Sequence, residues 1–436
     1  MQNSTNCKIS YYICIMETVS NYSLNNFISE ITGKKDFYEF INNNLHKDVS
    51  QLRLKYMRGR DDEFFRFAIT QIECRRRFGN KINETLEAFP AFIFPDTLAG
   101  EQSTSDRLAR FHADIANESE SLVDLTSGLG IDVLHIAAKG AEVTACEMDS
   151  LRAQALQFNV SGMGLSSSVS VRNCDSVEAL RCGLLSGRTA FIDPARRSDN
   201  GGRVFAISDC QPDITLIEPL MARHFHRLVA KLSPMLDVTA VCRSLHGVTD
   251  IYVIGTHTEC RELVTLSNLS DTRFPDSDKI SIHAVTLGND DIYDFSFTQD
   301  EETDAETRYG MPVSGDTLVV PFPAVVKAGA FRLMASRNNL IKIAPNTQVY
   351  FCSLPVNSIS GVCLDVIEVI PWHSKHIKGL KNRWPEAWVT CRNFGMTAAE
   401  LQKRLGVRPR GDIRIFAVTD AADSRQLIVA RPKTTG

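Results

Sequence analysis

"DLTSGLGIDVLHIAAKGAEVTACEMD", residues 124–149, is the stretch that decides the fold. A short apolar run, Leu122 and Val123, leads into it. A turn carrying Gly128 and Gly130 follows, then an apolar-periodic helix that Gly140 is placed to end, then a second apolar run that stops at Glu147. Strand, glycine turn, helix, strand and acid is the grammar of a nucleotide-binding βαβ unit. The remaining question is which nucleotide.

The same alternation continues outward. Strands are expected at 121–125, 142–146, 169–172 and 189–192, with helices over 131–139, 150–160 and 176–186. A helix over 213–225 precedes the apolar run "RLVAKL", which ends at Ser233-Pro234. Two further strands, "DIYVIG" and "ELVTLS", are six residues apart, too few for a helical crossover, so that pair should be antiparallel. The predicted fold is α/β: a Rossmann-like, mostly parallel sheet with an antiparallel last strand, preceded by a helical region and followed by an α+β module.

Composition shifts suggest the boundaries. Residues 1–34 read as a flexible N-terminus, and Met16 is an alternative start. Residues 35–118 read as a helical domain, with "DEFFRFAITQIECRRRF" as its clearest stripe, and 119–270 as the nucleotide-binding domain. Residues 271–322 contain the acidic stretch 271–306 and read as a small strand-bearing, ferredoxin-like insert or a linker. Residues 323–436 form the terminal module, in which Pro323 opens one helix and Thr397, Glu400 and Gly406 delimit another.

Bulk numbers exclude several classes. The chain has 436 residues, 43% hydrophobic and 23% charged, as soluble globular proteins do, and no apolar run approaches the ~20 residues of a membrane span. No signal peptide is recognisable, and a cytoplasmic setting is expected. The twelve cysteines contain no Cys-x-x-Cys pair and lie mostly inside apolar runs, so they read as reduced, buried thiols. His224 and His226 are two apart, not at a helical ligand spacing, and no metal site is expected. The net charge of −4 hides an asymmetry: residues 325–436 carry 17 Lys+Arg against 7 Asp+Glu, whereas 271–306 carry 2 against 11. A basic terminal module suits a polyanionic partner.

The glycine turn lacks the third glycine of a dinucleotide fingerprint, since Val133 stands there, and no Gly-Lys-Ser/Thr phosphate loop is present. Asp124 at the end of the first strand and Asp132 in the first helical turn would repel a pyrophosphate. S-adenosylmethionine, with a sulfonium, an ammonium and no phosphate, fits better. Asp124, Thr126 and Ser127 would serve its methionine end, and Gly128 and Gly130 would admit its close approach. Glu147, with Met148 beside it, would accept the ribose hydroxyls, and Asp175 the adenine amino group. Asp175 is equally well placed to cap the next helix.

With these residues in view, the segment 119–270 resembles class I S-adenosylmethionine-dependent methyltransferases. From about residue 35 to 436 the chain resembles a bacterial methyltransferase family with a THUMP-like C-terminal domain. The matching stretches are "EQSTS", "DLTSGLGID", "FIDPARRS", "KLSPMLD" and "AVVKAGAFRL…VTCRNF…ELQKRLG". The resemblance implies a methyl-donor cofactor, and it implies RNA as the partner of the terminal module.

"FIDPARR" leaves the fourth strand where methyltransferases place the acceptor. Asp193 and Pro194 keep the start of an Asp-Pro-Pro-aromatic loop; Ala195 and Arg196 depart from it, which puts plain base-amine methylation in doubt. Asp193, Pro194 and Arg196 are the candidate catalytic residues. Arg197, with Arg196, suits a nucleotide or another anion. No cysteine on this loop supports carbon-5 pyrimidine chemistry. In the terminal module all three tryptophans, Trp372, Trp384 and Trp388, are interleaved with Lys375, Lys378, Lys381 and Arg383. The three lysines and Trp384 are candidate RNA contacts, and a hydrophobic core is the competing reading of the tryptophans. A methyltransferase acting on RNA (tRNA or rRNA) is the leading expectation. The alternatives are a non-catalytic RNA-binding protein on the same fold and a small-molecule or protein methyltransferase.

Overall fold

The structure, a computed structural model, describes residues 27–59, 62–116, 121–196, 206–271, 273–288, 291–354 and 358–433. The N-terminal stretch read as flexible therefore falls largely outside the described residues. The chain divides into two compact units: residues up to 232 with 244–247 and 265–274, and 233–243 with 248–264 and 275–436.

The first unit opens with the helices Phe27–Thr32, Phe37–Asn44, Val49–Met57 and Glu63–Phe78. Asp48 and Asp62 cap the last two by accepting backbone N–H groups. Their apolar faces bury Ile28, Phe37, Ile41, Ile69 and Ile72 together with Ala155 of the helix Ser150–Gly162. The helical region thus shares its core with the sheet layer of this unit. Between the two runs "AFIF", residues 91–94, whose backbone has no strand partner. Two buried amides satisfy it: Gln71 exchanges hydrogen bonds with Phe94 at 2.7 and 2.9 Å, and Asn159 with Ile93 at 2.8 and 2.9 Å.

The sheet of this unit is built from β1 (Ser121–Asp124), β2 (Glu142–Glu147), β3 (Val169–Asn173), β4 (Thr189–Ile192) and β5 (Arg227–Leu232). The order is β3-β2-β1-β4-β5, with all these pairs parallel: Val123 lies opposite Thr144 and Ala190, and Phe191 opposite Val229. The order reverses beside β1, which opens a crevice over the carboxyl ends of β1 and β4. The expected helix at 213–225 is shorter, Ile214–Met221.

Strands β6 (Val248–Gly255) and β7 (Cys260–Asn268) are sheet neighbours, and β7 contributes 265–268 to the first unit and 260–264 to the second. Thr256 N–H donates to the Glu259 carbonyl at 2.8 Å across the turn between them. So short a return makes the pair antiparallel, as the sequence spacing requires.

In the second unit, the segment read as a strand-bearing insert or linker contributes two strands to a sheet. Strand β8 (Ser281–Leu287) runs parallel to β6, with Ala284 opposite Val253, and β9 (Ile292–Phe297) returns antiparallel to β8. Asp294 lies within β9, and the helix Gln299–Asp304 after it carries four more acids, whereas Ile282, Ala284, Val285 and Leu287 of β8 are buried. A second sheet follows, of order β10-β12-β13-β11-β14-β17-β16-β15. Its strands are β10 (Arg308–Tyr309), β11 (Thr317–Pro321), β12 (Ile341–Ala344), β13 (Thr347–Cys352), β14 (Gly361–Pro371), β15 (Trp388–Arg392), β16 (Arg414–Thr419) and β17 (Arg425–Pro432). The helix Ala398–Leu405 has the predicted capping box from Thr397 and Glu400, and Gly406 at φ 67° ends it. Pro323 opens a helix as predicted, but Gly329 at φ 90° breaks it, so 323–337 is two helices.

Candidate active site

A cavity of about 920 Å³ lies in the crevice of the first unit, over the ends of β1, β2 and β4. Its floor is the glycine turn. Gly128 (φ 54°) and Gly130 (φ 84°) both occupy left-handed backbone that other residues adopt at a cost. Their surroundings differ. A Cβ on Gly128 would meet little, whereas one on Gly130 would lie 2.1 Å from Leu156 Cδ1. The second glycine therefore also serves helix packing, while both glycines line the cavity.

Glu147 closes the turn from β2. Its Oε2 accepts the Gly128 N–H at 2.9 Å and its Oε1 the Asp149 N–H at 2.7 Å. A carboxylate has about four acceptor positions, so each oxygen keeps room for a ribose hydroxyl. Asp175 lines the same cavity and caps the helix Ser176–Arg181, accepting Val177 and Glu178 N–H groups through Oδ1 alone. The capping reading of the sequence applies, and Oδ2 is left for a ligand. Met148 is 72% exposed at the cavity rim. Ser127 is occupied within the turn, its N–H donating to the Cys146 carbonyl at 2.9 Å.

Two carboxylates flank the turn, and they differ sharply. Asp124 is buried, and its Oδ1 accepts the Thr126 N–H at 2.9 Å. Burial pushes its pKa up to about 8, with the negative charges of Asp132 and Asp193 adding to the effect and the Thr126 N–H and Lys231 opposing it. Asp132 is also buried, which by itself raises its pKa. The Lys231 ammonium and His112 more than offset that and hold it far below the usual carboxylate range. His112 Nδ1 lies 2.7 Å from Asp132 Oδ1; Thr104 Oγ1 donates to Oδ2 at 2.6 Å and Lys231 Nζ at 3.0 Å. Asp132 is therefore neutralised inside the fold and does not guard the cavity against anions, as its position in the sequence suggested. Asp124 has no such set of partners and lines the cavity beside Glu147 and Asp175.

Lys231 also reaches the acceptor loop. Its Nζ is 2.7 Å from Asp193 Oδ2 and donates to Thr104 Oγ1 at 2.7 Å. The Asp193 N–H donates to Thr126 Oγ1 at 2.7 Å, so Thr126 ties the acceptor loop to the cofactor turn. Four of the sequence stretches singled out above, "EQSTS", "DLTSGLGID", "FIDPARRS" and "KLSPMLD", meet at this one ammonium. Neither Lys231, Thr104 nor His112 was a sequence candidate. The available signal was a lysine inside the apolar run "RLVAKL", where its neighbours are buried and it is only 4% exposed. Pro194 lines the cavity, and Ala195–Arg196 forms a short antiparallel ladder with Cys210–Gln211. The side chain of Arg196, and Arg197 altogether, fall outside the described residues.

In the second unit the tryptophans separate. Trp384 packs against a core containing Leu380, Val389 and Leu401, and its indole N–H donates to Glu368 Oε1 at 2.9 Å. Trp372 packs on Phe394 with ring centroids 5.0 Å apart and carries the Arg404 guanidinium over its face. Trp384 is thus half-buried against this core, with its indole edge tied to Glu368. Trp388 is 47% exposed. Lys375, Lys378 and Lys381 lie in the exposed stretch before Trp384.

Over 93% of its length the chain superposes on 99% of a crystal structure from Porphyromonas gingivalis W83, of a protein named provisionally as a methyltransferase, with TM-score 0.81 and 26% identity. The fold is a methyltransferase fold. Residues 361–432 match the THUMP domain-like family, and residues 318–358 match a ferredoxin-like domain family. An RNA methyltransferase from Salinibacter ruber, in complex with S-adenosyl-L-homocysteine, matches 40% of this chain and 97% of its own at 16% identity and TM-score 0.28. A SAM-dependent methyltransferase from Agrobacterium tumefaciens matches 38% of this chain and 60% of its own at 14% identity and TM-score 0.27. Those two scores are too low to carry an argument. No curated protein matches the sequence. Among the described residues no helix is long and apolar enough to cross a membrane, and no group of three or more His, Cys, Asp or Glu could hold a metal.

The residues present fit S-adenosylmethionine. The cavity offers a buried carboxylate without an ion-pair partner among the described residues (Asp124), a glycine turn, and two further acids, Glu147 and Asp175, with free acceptor positions. Its lining includes no lysine, Arg152 at its wall is paired with Asp96 at 3.0 Å, and the phosphate loop is missing.

Proposed function

We propose that this protein is an S-adenosylmethionine-dependent methyltransferase whose acceptor is RNA, held by the module at 361–432. The observation that carries the reading is the pairing of Asp124, poised to take a cation, with Asp193, fixed by Lys231 at the other side of the same cavity. When bound, the cofactor supplies an electrophilic sulfonium methyl group. The protein's part is positioning: Asp124 receives the ammonium, Glu147 the ribose hydroxyls and Asp175 Oδ2 the adenine amino group. Asp193, held on two sides by Thr126 and Lys231, accepts a hydrogen bond from the acceptor and aligns its lone pair. An ion-paired carboxylate is an acceptor only, so the acceptor atom should carry a hydrogen of its own. The +10 charge of 325–436 supports a polyanionic acceptor.

The test is transfer of tritium from methyl-labelled cofactor to total RNA, to protein and to a small-molecule extract. Label should enter RNA, and Asp193→Ala should abolish transfer while changing cofactor affinity less than about threefold. Label in protein or metabolites would replace the acceptor. Cofactor binding with no transfer to any fraction would favour a non-catalytic RNA-binding protein, the reading that the altered Asp-Pro-Ala-Arg loop keeps open.

A further inference from the structure

Trp388 stands at the start of β15, which is last in its sheet and pairs on one side alone, with β16. Val389 is buried in the core with Leu401 and Leu405, and Cys391 packs against the same cluster. Strand alternation therefore turns Trp388, Thr390 and Arg392 to the opposite face. Edge strands are commonly guarded by charge, which Arg392 supplies, but a half-exposed tryptophan guards nothing and gives up burial.

Its surroundings are cationic. Arg414, the register partner of Trp388, holds its guanidinium 5.9 Å from the ring centroid and is itself fixed by donating to the Gly411 and Ile413 carbonyls at 2.9 and 3.2 Å. Arg408 is adjacent through the backbone, its carbonyl accepting the Ala387 N–H at 2.9 Å, and Arg410 and Arg392 are exposed. Glu386 pairs with Arg408 at 2.9 Å and Asp412 is exposed, so these neighbouring stretches carry four arginines against two carboxylates.

We propose that this face of β15 is a docking strip for a single-stranded RNA segment, with Trp388 stacking on one unpaired base and Arg392, Arg408, Arg410 and Arg414 contacting the backbone. The proposal rests on the RNA reading above and deepens it. An exposed aromatic face stacks on bases whose faces are open, which single strands offer throughout and a duplex only at its ends. Trp388 to Arg392 spans about 13 Å of strand, room for a base on the ring and a phosphate beyond it.

The experiment uses the full chain and a fluorescein-labelled twelve-nucleotide uridine oligomer, read by anisotropy, with a blunt RNA hairpin beside it. Trp388→Ala should weaken oligomer binding about tenfold or more, Trp388→Phe should retain most of it, and neither should move cofactor affinity. Arg392→Ala should shallow the slope of log K against log salt by roughly 0.7 for each phosphate the side chain no longer neutralises, whereas Trp388→Ala should leave the slope unchanged. Wild-type binding with Trp388→Ala and Arg392→Ala both unaffected removes the strip and leaves RNA as the acceptor. Binding of the hairpin but not the oligomer also overturns the strip. A wild-type chain that binds neither RNA at low salt overturns the RNA reading itself.

Discussion

Asp124 and Asp132 sit at the two ends of one glycine turn, both buried, and the fold treats them in opposite ways. Around Asp132 the chain assembles Lys231, His112 and Thr104, so its charge is answered from within. Around Asp124 the chain supplies one backbone N–H and no ion pair among the described residues. A buried carboxylate without a counterion costs stability unless protonated. The difference separates an acid that the fold itself satisfies from one that, in the proposed function, meets the ammonium of the cofactor. It also gives the two acids opposite pH signatures. Asp132, held low, contributes stability that is present above pH ~4 and lost as pH falls below it. Asp124, raised to about 8, contributes stability that is full below pH ~4 and lost as pH rises toward 8.

The largest effect should come from the answered acid. Lys231→Met removes the counterion of two carboxylates and should cost about 3–5 kcal/mol in urea unfolding. Adding Asp132→Asn to it should recover part of that loss, since one of the stranded charges disappears. A cost under about 1 kcal/mol for Lys231→Met would show that the ammonium does not hold the site together.

Asp124→Asn should act with two signs. At pH 8 it should raise stability by on the order of 2 kcal/mol, because an amide ends the penalty of a buried, ionising carboxyl, and the gain should vanish by pH 4. The same variant should weaken S-adenosylmethionine about tenfold or more, because the ammonium loses its charged partner. Wild-type affinity should rise between pH 6 and 8, as binding a cation pulls a proton off Asp124. Calorimetry in buffers of different ionisation enthalpy reads that released proton. Affinity flat across that range would mean the ammonium lies elsewhere.

The contrast between the acids also shows what a sequence can and cannot say. Strands β1–β4, the glycine turn and the capping box at Thr397 depend on neighbours within a few residues, and local pattern places them within a residue or two. Lys231 is 99 residues from Asp132 and 127 from Thr104, so the reason for a lysine inside "RLVAKL" lies outside any window. Asp132 misleads for the same cause: its position in the first turn is legible, its counterion is not. The tryptophan segment fails differently. Its composition is legible as aromatic and cationic, but which ring faces the core depends on where Glu368 and the helix Ala398–Leu405 sit, and alternation alone does not reveal that.

The smallest predicted effect separates two jobs of one side chain. Asp175 caps its helix through Oδ1, and the proposed adenine contact uses Oδ2. Removing the cap with Asp175→Ala should cost about 1 kcal/mol and so confuse folding with binding. Asp175→Ser avoids this, because serine caps nearly as well but has no second oxygen to reach the adenine. Its melting temperature should stay within a degree or two of wild type while S-adenosylmethionine binds several-fold more weakly, about 1 kcal/mol for one hydrogen bond. Equal affinity in Asp175→Ser would make Asp175 a cap like Asp48 or Asp62, and the adenine amino group would then need another acceptor along this wall of the cavity.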